Sequence, residues 1–377
     1  LAGIYFHIPF CKKACYYCDF HFSTSLKYKD ELLLSMHREL ELQKGYLEGH
    51  VIETIYFGGG TPSVLNASEI QKLIEHVTDT HTVLPNAEIT MEANPDDLSA
   101  AHVGALRNTS VNRFSIGIQS FYEEDLQWMN RAHTAAEADS SVKRVQDAGF
   151  ENITLDLIYG FPLLTDEKWQ ANIRKVIELE VPHISAYSMT VEDRTALAHF
   201  IKKGKQAAMN ESQSAQQFVL LMDTLKEAGY EHYEISNFAR PDKYSRHNTN
   251  YWKGIPYLGI GPSAHSFNGI SRQWNIANNP KYIESLLKDT VPAEIEILSQ
   301  ADRINEYIMT SLRTMWGMDL NKVEQDFGYD YRNQTEINLQ EFIGKRWIEI
   351  SNNTAILTNE GRLFADHIAS TLFFEQE

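Results

Sequence analysis

Cysteine is nearly absent from this sequence: three occur in 377 residues, all between positions 11 and 18. An odd number crowded on so short a stretch excludes a disulfide framework. Positive charge is scarce too. The 34 Lys and Arg are outnumbered by 51 Asp and Glu, a formal net charge of −17, which argues against sequence-independent nucleic-acid binding, since that needs a basic face. No apolar run approaches the ~20 residues of a membrane-spanning helix. No charged-then-apolar leader precedes the first strand-like segment, Ile4–Ile8. Reduced thiols without an export signal point to the cytoplasm. Phosphate-binding signatures are missing as well: Gly58-Gly59-Gly60 is followed by Thr61-Pro62, with neither the Gly-Lys-Ser/Thr of a P-loop nor a G-x-G-x-x-G.

What is present is a βα rhythm. Strand-like segments fall at Ile4–Ile8, Val51–Phe57, Ala87–Glu92, Asn112–Ile118, Asn152–Tyr159, His183–Met189 and, more weakly, Glu231–Ile235. Amphipathic stretches separate them, among them Tyr28–Tyr46, Ser68–His81, Ala135–Ala148, Asp166–Glu180 and Ser212–Ala228. Asn66 with Glu69 reads as a capping box, and Gly149 and Gly229 as helix stops. The pattern predicts an α/β fold: a whole or partial parallel barrel over residues 1–235, or an open doubly wound sheet. Residues 236–297 form a connecting region. Residues 298–377 read as a small helical unit whose helices precede a hairpin turning at Asn352-Asn353, in the manner of a winged helix.

Either sheet architecture gathers ligands at the C-terminal ends of its strands. The first strand leads to Cys11, Cys15 and Cys18, in a C-x3-C-x2-C array, and the second to the glycine loop. The next ones carry Glu92, Gln119 and Asp156. Three thiolates on one loop can hold three irons of a cubane cluster and leave the fourth open to a substrate. Zinc is the rival on spacing alone, because His21 completes a Cys3His set. Beside an open iron, the glycine backbone can hold an amino-acid-like ligand, Glu92 and Asp156 can accept from an ammonium group or ribose hydroxyls, and Arg131 can clamp a carboxylate.

Tyr5-x-His7-Ile8-Pro9-Phe10-Cys11-x3-Cys15-x-Tyr17-Cys18, with Gly-Gly-Gly-Thr-Pro, resembles the radical S-adenosylmethionine superfamily from about Tyr5 to the C-terminus. The branch it resembles holds the oxygen-independent coproporphyrinogen III oxidases and the HemW-type haem chaperones, and it is most similar to the latter. The resemblance implies a [4Fe-4S] cluster on Cys11, Cys15 and Cys18, and S-adenosylmethionine against Tyr5, Tyr17, Gly59, Gly60, Thr61, Glu92, Gln119, Arg131 and Asp156. It also implies reductive cleavage of the sulfonium to a 5′-deoxyadenosyl radical, with a separate electron donor.

Within that branch three features favour the chaperone, with no catalytic residue of its own to assign. The oxidase pattern has a fourth cysteine where this chain has Phe20, and an N-terminal extension where only four residues precede Tyr5. His247-Asn248-x2-Tyr251-Trp252 matches the chaperones' H-N-x-x-Y-W motif, which the resemblance associates with haem. His247 then offers an imidazole to iron, and Tyr251 and Trp252 offer flat apolar surface. The plainer reading is that these residues lock the joint to the C-terminal unit. His265 is a second candidate ligand. The expected partners are haem and an acceptor haemoprotein of respiration. The alternative is oxidative decarboxylation of coproporphyrinogen III propionates.

Overall fold

A computed structural model describes residues 1–375. Six parallel strands form its centre: β1 (Ala2–Ile8), β2 (Ile52–Gly59), β3 (Val83–Ala93), β4 (Arg113–Gln119), β5 (Ile153–Tyr159) and β6 (His183–Ser188). They lie side by side in sequence order. Right-handed crossovers between strands in unbroken order place every helix on one face of the sheet. The doubly wound alternative, which needs a reversal of strand order, therefore does not occur. The sheet does not close into a whole barrel either, because β6 pairs with β8 (Asn237–Ala239) and β1 with β9 (Tyr257–Ile260). The result is a partial barrel within a 12-stranded sheet. β7 (Glu231–Glu234) flanks β8 at one edge. Beyond β9 run β10 (His265–Phe267), β11 (Ser271–Asn275) and β12 (Ala293–Ile297), all antiparallel.

The six central strands alternate strictly. Ile4, Phe6 and Ile8, Ile55 and Phe57, Ile89 and Met91, Phe114 and Ile116, and Leu155 and Leu157 belong to the apolar core beneath the helices. Their neighbours, on the opposite face by the two-residue period, are Tyr5 and His7, Thr54 and Tyr56, Glu88 and Glu92, Arg113 and Ser115, Thr154 and Asp156, and His183 and Ser185. The inside of the curl is therefore polar. A chain of hydrogen bonds runs across its floor. Arg113 donates to Thr154, whose hydroxyl meets His183 Nδ1 at 3.0 Å, and His183 Nε2 meets the Tyr233 hydroxyl at 2.7 Å.

Local signals hold where they were read. Asn66 and Glu69 close a capping box on the helix Ala67–Thr80, and Gly149 and Gly229 take positive φ of 84° and 81° past their helices. Asn352 and Asn353, with φ of 51° and 61°, turn the hairpin of β14 (Ile348–Ser351) and β15 (Thr354–Leu357), as a two-residue primed turn requires. With β13 (Met318–Asp319) this hairpin makes a three-stranded sheet packed with helices on a second core that includes Ile304, Ile308, Phe342 and Ile368. Among the described residues, no helix is long and apolar enough to cross a membrane.

The antiparallel flank is pinned from inside by one carboxylate. Glu39, fully buried on the helix Lys29–Leu42, accepts from Asn275 Nδ2 at 2.6 Å, Gln43 Nε2 at 2.8 Å, the Gly261 amide at 2.8 Å and the Tyr282 hydroxyl. Burial pushes its pKa up to about 7 against these donors. Glu39→Ala strands all of them, so it is expected to lower the unfolding free energy by about 3 kcal/mol. A urea midpoint equal to that of the unaltered chain would count against this role.

Candidate functional site

The three cysteines lie on the loop after β1, at the rim where the strands end. The loop is stitched down at several points: Cys11 N–H donates to Ser23 O at 3.0 Å, Tyr16 N–H to Met129 O at 3.1 Å, and Asn130 Nδ2 to Ala14 O at 2.6 Å. Lys12 pairs with Asp96, at 2.9 Å, and with Asp97 at the end of β3. Burial raises the thiol pKa values of Cys11 and Cys18, the latter to about 11. Thr61 Oγ1 reaches Cys11 Sγ at 3.4 Å and Arg131 Nη1 reaches Cys15 Sγ at 3.3 Å.

Arg131 is the hub of the rim. Its guanidinium donates to Cys15, to the Tyr17 hydroxyl at 3.4 Å, to Asn94 Oδ1 at 2.6 Å and to Gly117 O at 2.9 Å, while Nε is buried without a partner. Burial opposes its charge, but Tyr17 and Cys15 more than offset this and hold it protonated. Asn94 also donates to Thr61 Oγ1 at 3.2 Å, so one continuous network runs Arg131–Asn94–Thr61–Cys11. The Gln119 amide shares the space over Gly117 with Arg131: a Cβ at Gly117 would sit 2.9 Å from Gln119 Nε2 and 3.1 Å from Arg131 Nη2. Gln119 itself adopts φ of 65° at a register shift between β4 and β5.

These groups enclose a cavity of about 810 Å³ that Cys11, Cys15, Cys18, Tyr17, Gly59, Gly60, Thr61, Glu92, Gln119, Arg131 and Asp156 all line. Tyr5 is the exception. It lies in an adjoining cavity of about 990 Å³, between the sheet and the C-terminal unit, where His247, Asn248, Tyr251, Trp252 and His265 also lie. Gly59, Glu92, Phe20 and Tyr187 line both spaces. Glu92 and Asp156 are held back from ionising by burial, with pKa values raised to about 7 and about 6. Tyr56 donates to Glu92 at 2.8 Å and Ser115 to Asp156 at 3.2 Å.

The glycine loop packs on protein more than the motif implied. Gly60 N–H is spent on Ile8 O at 2.9 Å, and a Cβ there would meet Phe10 O at 2.7 Å and Ile8 O at 2.9 Å. Gly59, at φ 105°, lies against the His7 ring. His7 is fixed in turn: Nε2 donates to His21 O at 2.9 Å, so Nδ1 accepts from the Tyr5 hydroxyl at 3.2 Å. His21 does not turn toward the cysteines; its Nε2 meets Asn279 Oδ1 at 2.7 Å. Among the described residues, no three His, Cys, Asp or Glu side chains converge as ligands of a single ion. A cubane, which spreads its thiolates over separate irons, suits this donor set better than zinc.

His247 is engaged at both nitrogens. Nδ1 meets Thr54 Oγ1 at 2.8 Å and Nε2 the Tyr251 hydroxyl at 2.8 Å, and burial followed by the Arg113 charge lowers its pKa to about 3. Its helix, Arg246–Trp252, starts on Glu88, which accepts the Arg246 and His247 amides at 3.1 and 3.0 Å. That pins the helix to β3, within the sheet. Asn94, Tyr56 and His7 were not among the expected site residues. The two-residue period from Gly58 and Tyr5 would have found Tyr56 and His7; the same period reaches Asn94 from Glu92, where the following Pro95 reads as a turn instead.

Open sheet, cysteine loop and polar inner face together define a radical S-adenosylmethionine protein. Residues 5–176 match the model of the radical SAM superfamily and residues 298–364 that of the HemN C-terminal domain. The chain is 33% identical to the heme chaperone HemW of Mycobacterium tuberculosis (98% of this chain, 94% of that one) and 34% identical to that of Lactococcus lactis (95% and 93%). It is 30% identical to that of Bacillus subtilis (98% of each). The chain belongs to the HemW haem chaperone family. The structure of Escherichia coli coproporphyrinogen III oxidase (HemN), a radical SAM enzyme, covers 99% of this chain and 90% of its own length with a TM-score of 0.86 at 23% identity, which shows a shared fold. Superfamily membership implies a [4Fe-4S] cluster and S-adenosylmethionine as cofactors.

The backbone contact at Gly60 sets a test. Gly60→Ala forces the β2 loop away from Ile8 and Phe10, and is expected to lower stability by about 2 kcal/mol and to reduce the iron retained after anaerobic reconstitution. Full iron content with unchanged thermal stability would contradict this.

Proposed function

We propose that this chain binds haem in the 990 Å³ cavity and passes it to an acceptor haemoprotein, a respiratory one, in the cytoplasm, with the cluster and S-adenosylmethionine serving assembly or gating rather than turnover. The observation that carries the reading is the cavity itself. It is large, it is walled by Tyr251, Trp252, Tyr257 and Phe267, and its rim bears Lys253, Arg272 and Arg303. Flat aromatic surface with cations at the edge suits an apolar macrocycle carrying carboxylates.

In the same reading Cys11, Cys15 and Cys18 hold the cluster. Tyr5, Tyr17, Gly59, Gly60, Thr61, Glu92, Gln119, Arg131 and Asp156 form the S-adenosylmethionine site. When bound, the cluster and S-adenosylmethionine supply reductive sulfonium cleavage, with the electron from an outside donor. The chain's residues position and shield: Arg131 anchors the loop through Cys15 and Asn94, and the two half-buried carboxylates await a cation.

Those carboxylates give a pH test. A cationic ligand is attracted by the ionised forms, and pKa values of about 7 and about 6 put that ionisation within the pH range of an assay. Affinity for S-adenosylmethionine on cluster-loaded protein is expected to rise as pH increases through that interval and to level off above it. Glu92→Gln should flatten the upper part of the rise and weaken binding about tenfold, 1.4 kcal/mol. A pH-independent affinity in the unaltered protein would remove this role.

Haem titration tests the function itself. One haem per chain is expected, with a shifted Soret band, and transfer of that haem to an apo-haemoprotein. Conversion of coproporphyrinogen III to protoporphyrinogen IX by the anaerobically reconstituted protein would overturn the chaperone reading in favour of the oxidase.

A further inference from the structure

We infer that His265, and not His247, presents the nitrogen that ligates haem iron. The inference rests on haem binding in the 990 Å³ cavity. Four imidazoles line that cavity: His7, His21, His247 and His265. An iron ligand needs a ring nitrogen with an uncommitted lone pair. His7 donates through Nε2 to His21 O and accepts the Tyr5 hydroxyl at Nδ1. His21 donates Nε2–H to Asn279 Oδ1 and is stacked on His7 with ring centroids 6.2 Å apart, so only its Nδ1 is uncommitted, on a ring already held on both sides.

His247 is the most firmly held. It is 2% exposed, stacked on Tyr56 at 4.9 Å, and bonded at both nitrogens. Reaching an iron would require the ring to release Tyr251 or Thr54 inside a polar floor, leaving a buried hydroxyl without its partner.

Neither ring nitrogen of His265 has a hydrogen-bond partner among the described residues, and its ring is exposed. Its backbone is fixed by contrast. It stands on β10, opposite Trp274, with its carbonyl packed against Gly259 so closely that a Cβ there would lie 2.1 Å away. A rigid backbone carrying an uncommitted imidazole is what an axial ligand requires, because little ordering is left to be done on binding. Phe267, from the same hairpin, also lines the cavity and offers a ring for the macrocycle, while Arg272 beside it is held by Glu306 at 2.8 Å. The motif histidine then keeps a structural duty: it ties helix Arg246–Trp252 to β2, so that Tyr251 and Trp252 face the ligand from a fixed wall.

The experiment is haem titration of the full chain followed by optical and resonance Raman spectra, for the unaltered protein, His265→Ala and His247→Gln. We expect imidazole-ligated iron in the unaltered protein. His265→Ala should lose that signature and bind haem at least tenfold more weakly, and added free imidazole should restore the signature. His247→Gln should keep the signature while melting at lower temperature. An unchanged spectrum in His265→Ala, or a phenolate-type spectrum in the unaltered protein, overturns the assignment alone. No Soret shift in the unaltered protein overturns haem binding along with it.

Discussion

The alternation of the six central strands constrains everything else in this molecule. Because the side-chain period of a strand is two, putting Ile4, Phe6 and Ile8 under the helices obliges Tyr5 and His7 to face the inside of the curl. The same holds along β2 to β6. A closed barrel packs such a face with branched apolar residues. Here it carries carboxylates, hydroxyls, imidazoles and an arginine, and each must find a partner or a ligand. The floor finds partners, as in the Arg113–Thr154–His183–Tyr233 chain. Toward the rim the groups open onto a cavity: Glu92 and Asp156, half-buried there, have raised pKa values, and Arg131, like Arg113 in the floor, keeps an unpaired Nε. The site is the part of a polar interior that the protein leaves incompletely satisfied.

Two cavities result, with a thin wall between them. Glu92 belongs to both, and Tyr56 links it to His247 through a 2.8 Å hydrogen bond and a ring stack. Phe20 also lines both, with 69% of its surface exposed, at the position where the oxidase pattern has a cysteine. Phe20 therefore lies at the boundary between the cavity of the cysteine loop and the larger one.

Much of this was legible beforehand. The six parallel strands, the capping box at Asn66 and the Asn352-Asn353 turn are local events with local signals. The three antiparallel strand pairings from β9 to β12 were not legible, because His265–Phe267, Ser271–Asn275 and Ala293–Ile297 are only three to five residues long, too short for a period to stand out. The spacing of the cysteine loop left cluster and zinc both open, and only the wider motif around it carried the family resemblance. Asn94, which joins Arg131 to Thr61, could not announce itself, since an asparagine before a proline reads as a turn. The His-Asn-x-x-Tyr-Trp motif was visible, but whether its imidazole is offered or spent depends on Thr54, almost two hundred residues earlier.

The C-terminal unit touches both flanks of the open sheet. Met315 N–H reaches Tyr233 O at 2.9 Å and Arg362 reaches His232 O at 3.1 Å on one side, while Glu306 pairs with Arg272 at 2.8 Å on the other. It has a hydrophobic core of its own. It therefore works as a clasp across a sheet that never closed. The two sides are not equally strong: the Tyr233 side also carries a backbone bridge between Glu234 and Thr314 and the Ile235 side chain against both cores, whereas the other side is joined by the Glu306–Arg272 pair at the larger cavity. Parting the clasp at Arg272 would widen the mouth of that cavity and break no strand pair, and under the proposed function a macrocycle would enter there while the walls stay folded.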